Sequence, residues 1–161
     1  MSIDLAHALT SLPHGPAFRF VDELHSLHPG LSASAIYHLP ADAAFLAGHF
    51  PGRPLMPGVL MLEALAQVAG IAAQTHPEIP ALIDLRLTAL RFVKILGSIS
   101  PGQTLHIKAE IEGRLGNLVQ AKGNVSTADG TTLLEGQVTL SGTLSDPISS
   151  VEHRNPSVAG D

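Results

Sequence analysis

Between Val59 and Ala73 the chain reads VLMLEALAQVAGIAA, apolar nearly all round, with Glu63 and Gln67 the only strongly polar side chains. A helix without a polar face must be enclosed by other structure. Pro57 suits its first position, where a missing N–H costs nothing. The run is shorter than the roughly 20 apolar residues a membrane crossing needs, so it predicts a buried core helix. The second half of the chain alternates instead. Leu82 to Ile95 sets polar Asp84, Arg86 and Thr88 between apolar Leu85, Leu87 and Ala89, then loses phase near Leu90. Thr104–Arg114 turns Leu105, Ile107, Ala109 and Ile111 one way, the mark of a strand buried on one face. Gly116-Asn117 and Asp129-Gly130 predict hairpins joining it to strands at Leu118–Thr127 and Thr131–Ser141. Ahead of the helix, Phe18–Leu27 and Ser32–Leu39 read as two strands split by Pro29-Gly30. Residues 2–10 predict a short helix capped by Ser2. From Pro40 to Gly58 prolines and glycines are too dense for either regular element throughout.

One long apolar helix with five or six antiparallel strands predicts an α+β fold in which a curved sheet wraps the helix. A sheet covers one side of a helix only, so any side left open is expected to need a second copy of the chain. Residues 1–142 make one domain, and residues 143–161, rich in Ser, Pro and Gly, read as a disordered tail.

Composition narrows the function. Nine Lys plus Arg against 14 Asp plus Glu leave a net charge of −5, which argues against nucleic-acid or anionic-membrane partners. Only 14% of residues are charged, against about 25% in an average soluble domain. Part of the surface is therefore expected to be hidden in an oligomer. The absence of Cys removes disulfides, thiolate metal sites and Cys nucleophiles together. Asp4 and His7 interrupt any leader-like apolar start, making the cytoplasm the expected compartment.

Glu63 and Gln67, spaced i,i+4, share one helix face. A buried carboxylate without partners is costly, so Glu63 is protonated, paired with a neighbouring group, or lining a polar cavity. Gln67 is expected to orient it or to cap a strand. His49 sits in Gly48-His49-Phe50-Pro51-Gly52, a stiff loop, and a neutral imidazole is the natural proton acceptor near pH 7. The Met56-Pro57-Gly58-Val59 junction brings a third element. Helix N-termini leave N–H groups unpaired, which favours a developing oxyanion, and Gly58 has no side chain to block an approaching carbonyl. No His pair has helical HxxxH spacing, and no metal site is expected. Serine elbow, P-loop and dinucleotide fingerprints are absent from the sequence. A base, an acid and an anion site make a proton-transfer constellation.

The stretch GHFPGRPLMPGVLMLEALAQ, from Gly48 to Gln67, resembles the signature of the bacterial 3-hydroxyacyl-acyl-carrier-protein dehydratases, which have the hot-dog fold. LPHGPAFRFVD, from Leu12 to Asp22, resembles that family's opening, and Pro101-Gly102 with the three following strands fits its layout. The resemblance implies dehydration of a 3-hydroxyacyl thioester to the trans-2-enoyl product, with no metal or organic cofactor. It implies His49 as base and Glu63 as acid, contributed by opposite subunits of a homodimer that often assembles further as a trimer of dimers. Gly58 and Val59 would hold the thioester oxygen, Gln67 would support Glu63, and the acyl chain would lie in a tunnel beside the helix. Gly15 stands where the family usually has Arg, and Leu96-Gly97-Ser98 where basic residues are common. Arg19, Arg53, Arg91 and Lys94 are then the candidate contacts for acyl carrier protein, with coenzyme A as the alternative donor. A thioesterase in which Glu63 activates water, or a non-catalytic acyl-binding subunit, are the competing functions.

Overall fold

The computed structural model describes residues 4–144. Positive φ at Gly116 (57°) and Gly130 (88°) closes the two hairpins signalled by the sequence. They join β4 (Thr104–Leu115), β5 (Leu118–Ser126) and β6 (Thr132–Thr143) into an antiparallel meander. β1 (Glu23–His28) and β2 (Ser32–His38) extend it past β4, and β3 (Ile83–Ile95) pairs with β6 at the other end. The order is β1-β2-β4-β5-β6-β3, a single antiparallel sheet with β1 and β3 at its edges. This sheet curls round α2 (Gly58–Gln74), giving the expected α+β hot-dog fold.

The alternation in β4 lands as predicted, with Leu105, Ile107 and Ala109 buried and Lys108 and Glu110 exposed. Val119, Ala121 and Val125 of β5 and Leu134, Val138 and Leu140 of β6 continue that inner face. They pack with Met61, Leu65, Val68 and Ala72 of α2 in one core, each large side chain contributing about 1.5–3 kcal/mol by its removal from water. Gly123 marks a close approach of α2 to the sheet. A Cβ there would overlap the Lys108 carbonyl oxygen and the Leu65 side chain. The carbonyl is ladder backbone and cannot yield. Gly123→Ala is expected to cost at least the ~1–3 kcal/mol of an overpacked core, read as a lower urea midpoint. Gly113→Ala, with nothing within 4 Å of its new methyl group, should leave the midpoint almost unmoved.

Several sequence expectations are corrected. α1 spans Leu5–Leu9, and its cap is Asp4, whose Oδ1 accepts from the N–H groups of Ala6 (3.0 Å) and His7 (3.1 Å); Ser2 lies outside the described residues. Pro57 is the N-cap of α2 rather than its first residue, because its ψ of 134° is extended. The strand expected from Phe18 begins only at Glu23. Pro16–Phe18 form a 3-10 turn, and the Phe20 N–H is taken by the Gln67 side chain instead of a neighbouring strand. Thr143 still belongs to β6, so the sheet runs one residue into the expected tail, whose residues 145–161 lie outside the described ones.

The largest correction concerns the open side of the helix. Twelve α2 residues are buried within the single chain. Leu12, Phe20, Val21, Leu46 and Met56, from irregular segments, join them in the same core, while Val59 in the first turn stays exposed. A group of exposed apolar side chains lies on and beside β3, where Ile83, Leu90, Phe92, Ile95 and Leu96 are each at least 47% exposed. β3 is irregular as well. Its pairing with β6 shifts register three times, and Asp84 and Phe92 adopt positive φ (52° and 53°). Bulges of this kind bend a strand, which lets β3 follow the helix and accounts for the loss of phase near Leu90. None of the helices among the described residues is long and apolar enough to cross a membrane.

Candidate active site

Along α2, Glu63, Ala66, Gln67, Gly70 and Gln74 fall on one stripe by their spacing of three and four residues. They form one wall of a cavity of about 600 Å³. Leu85 and Leu87 of β3 and Leu140 of β6 face them, so most of the slot is apolar. At its far end Gln74 clasps the backbone of Leu82, donating to the carbonyl (2.7 Å) and accepting from the N–H (2.9 Å). Glu63 stands at the other end beside His14 and Phe18.

Gln67 is 2% exposed, and its amide is fully engaged. Oε1 accepts from Phe20 N–H (2.9 Å), while Nε2 donates to the Phe18 carbonyl (2.8 Å) and to Glu63 Oε1 (3.1 Å). It thus contacts Glu63 and ties down the segment that leads into β1, but it caps no strand. Glu63 has a further partner. His14 Nε2 lies 3.3 Å from the same Oε1. In the sequence His14 carries no signal beyond its place in the Leu12-Pro13-His14 stretch.

His49 is placed by a loop that bonds to itself. Its N–H donates to Leu46 O (3.2 Å), its carbonyl accepts from Leu55 N–H (2.9 Å), and Phe50 and Arg53 exchange hydrogen bonds across a turn containing Gly52 at φ 76°. The His49–Phe50 peptide is cis. The imidazole stacks on Phe50 at 4.2 Å between centroids, and Nδ1 lies 3.0 Å from the Leu55 carbonyl oxygen. A carbonyl only accepts, so Nδ1 donates, and in the neutral tautomer Nε2 is the nitrogen left with a lone pair. In that tautomer Nε2 can accept a proton. Within one chain, however, His49 does not line the Glu63 cavity.

Gly58 and Val59 open α2, whose first turn has no side-chain cap. Its leading N–H groups are therefore available to an incoming oxygen. Gly58 also has a packing reason to lack a side chain, since a Cβ would meet Ile95 Cδ1 of β3 at 2.8 Å. The four basic candidates stand apart in character. Arg19 is turned inward, donating to the His14 carbonyl (3.3 Å), whereas Arg53 is exposed in the His49 loop. Arg91 lies over the Phe92 ring (5.5 Å), and Lys94 pairs with Glu135 (3.0 Å).

Residues 12–142 match the family model of the FabA-like domain. The chain belongs to the FabA-like family. FabA-like relatives include the 3-hydroxyacyl-[acyl-carrier-protein] dehydratase FabZ of Herpetosiphon aurantiacus, 34% identical over 128 residues that cover 80% of this chain and 89% of the relative. The FabZ dehydratase of Natranaerobius thermophilus is 36% identical over 129 residues, with 80% and 89% covered. Among solved structures, the dehydratase heterocomplex ApeI:P from Xenorhabdus doucetiae superposes with a TM-score of 0.70 at 16% identity, over 88% of this chain and 92% of that one. Zebra fish thioesterase superfamily member 2 gives 0.64 at 14% identity, over 89% and 100%. At such identities the two structures speak for the hot-dog fold of this FabA-like domain and not for its chemistry.

Proposed function

We propose that this FabA-like protein removes water from a 3-hydroxyacyl thioester borne by acyl carrier protein, giving the trans-2-enoyl thioester. The observation that carries this reading is Glu63, held by Gln67 at one end of a slot whose remaining walls are mainly apolar. An acyl chain fits such a slot, and its 3-hydroxyl then meets a carboxyl group. His49 Nε2 takes the proton from C2. The C–H electron pair becomes the C2=C3 bond, and the C3–O pair leaves with the oxygen, which takes the Glu63 proton and departs as water. The N–H groups of Gly58 and Val59 hold the thioester oxygen as negative charge builds there. No step calls for a metal or an organic cofactor.

His49 of one copy and Glu63 of another complete each site. Two observations support this: His49 lies outside the Glu63 cavity of its own chain, and β3 presents an open edge with Leu90, Phe92 and Ile95 exposed. Such an edge seeks a strand, and a second β3 supplies one with the same apolar complement. Sedimentation at micromolar concentration should give a dimer or a multiple of it, including a trimer of dimers. A compact monomer active at that concentration would overturn the shared site. Arg53 and Arg91 are the better-exposed contacts for an acidic carrier; Arg19 is committed to the His14 backbone. The cytoplasm remains the expected compartment on this reading.

The test is one assay with two readouts. Incubation with a 3-hydroxyacyl thioester should raise enoyl absorbance and give a product lighter by one water. Release of the free acid would point to thioester hydrolysis, and an unchanged substrate to an acyl-binding subunit; both defeat the proposal. Presenting the same acyl chain on acyl carrier protein and on coenzyme A decides the donor.

A further inference from the structure

We infer that His14 is a positioning residue that, together with Gln67, occupies one oxygen of the Glu63 carboxyl, so that the other, Oε2, delivers the proton to the leaving hydroxyl. The inference rests on the dehydration read above. Gln67 has no freedom in the matter. Its Oε1 must face Phe20 N–H and its Nε2 must face the Phe18 carbonyl, so the amide cannot be flipped and an N–H points at Glu63 Oε1. His14 Nε2 reaches that same oxygen at 3.3 Å. The other ring nitrogen, Nδ1, is buried with no hydrogen-bond partner among the described residues. A buried orphan N–H is rarer than an under-used acceptor, which places the ring proton on Nε2, facing Oε1 across 3.3 Å. Gln67 and the His14 ring thus both crowd Oε1 and leave Oε2 open. The proton of the neutral carboxyl is then left to Oε2.

The arrangement matters most after the transfer. As the C3–O bond breaks and the oxygen takes the Oε2 proton, the new carboxylate finds the Gln67 N–H already on it and the His14 N–H 3.3 Å away, so little has to reorient. His14 is itself held for this purpose. Leu12 beside it is buried, Pro13 stiffens the approach, Arg19 donates to the His14 carbonyl, and the Phe18 ring lies 6.1 Å from the imidazole. Glu63 and His14 belong to the same chain, so the unit is complete before any second copy arrives.

A leaving group that needs no proton isolates the effect. Two thioesters of equal chain length are compared, one with a 3-hydroxyl and one with a 3-chlorine, the spontaneous loss of chloride being subtracted. On the hydroxyl substrate His14→Ala should lower kcat about ten- to a hundredfold, the rate equivalent of one hydrogen bond to a charged group. KM should hardly change. Chloride loss should proceed as in the unaltered protein, because its electron pair leaves with the chlorine unaided. His14→Gln, whose Nε2 can reach Oε1, should recover most of the hydroxyl rate, and His14→Phe, which keeps the ring volume without the donor, should not. An equal loss on both substrates would make His14 a structural prop, and no loss on either would leave it without a role; each result overturns the inference. Glu63→Gln run alongside separates the levels. If it impairs chloride loss as severely as water loss, Glu63 is not the acid, and the dehydration reading itself falls.

Discussion

Glu63→Gln is expected to lower kcat by about 10²–10⁴-fold, the usual loss of a positioned acid or base, while leaving the fold intact. The substitution keeps the shape of the side chain, and the new amide oxygen can still accept from Gln67 and sit beside His14 as Glu63 Oε1 does. What disappears is the transferable proton. Stability should hold, because a neutral amide replaces a neutral carboxyl of the same shape. Paired measurements of enoyl formation and of the thermal midpoint check both halves. A variant keeping more than about a tenth of the rate, well short of the loss expected of an acid, would remove Glu63 from that role.

The other large effect belongs to His49. His49→Ala removes the only group read here as base, and its activity should fall by a comparable ~10²–10⁴-fold. The loss should be reversible in company. If the residues meet across two copies, a mixed dimer of His49→Ala and Glu63→Gln chains has one site with both defects and one with neither. Co-refolding the two dead variants should therefore restore activity, and the recovered rate should track the fraction of mixed dimers measured by mass. Verified mixed dimers that stay inactive would show that the two residues are not partners across copies.

Much of this was legible in the chain because it repeats. The β4 alternation and the hairpin pairs led directly to the meander, and the apolar run led to α2. Glu63 and Gln67 stand out as polar groups in an apolar run, and His49 as a titratable group in a loop stiffened by proline and flanked by glycine. Two things were not legible, for physical reasons. Leu12, Phe20, Val21, Leu46 and Met56 lie in segments with no period, so nothing local says that they roof the helix. Expecting a second chain there was the consequence. His14 meets Glu63 only because Phe18 and Phe20 are pinned by Gln67, a contact spanning 49 and 47 positions. A lone histidine shows no periodicity that would reveal such a closure. The loss of phase near Leu90 was visible, but its meaning, a strand bent by bulges, needed the pairing with β6.

That bent strand has a consequence for the chain on its own. A long edge with Leu90, Phe92 and Ile95 outward is a template for indiscriminate strand addition whenever its proper neighbour is missing. Arg91 and Lys94 flank Phe92, and Arg86 lies further back on the same strand. Charges so placed act as gatekeepers, hindering the stacking of many copies while permitting one ordered pairing. Two of the cations read as carrier contacts would thus also protect solubility. Neutralising them would then be felt first as precipitation in warm, dilute solution, where the edge is most often uncovered, and only later in catalysis.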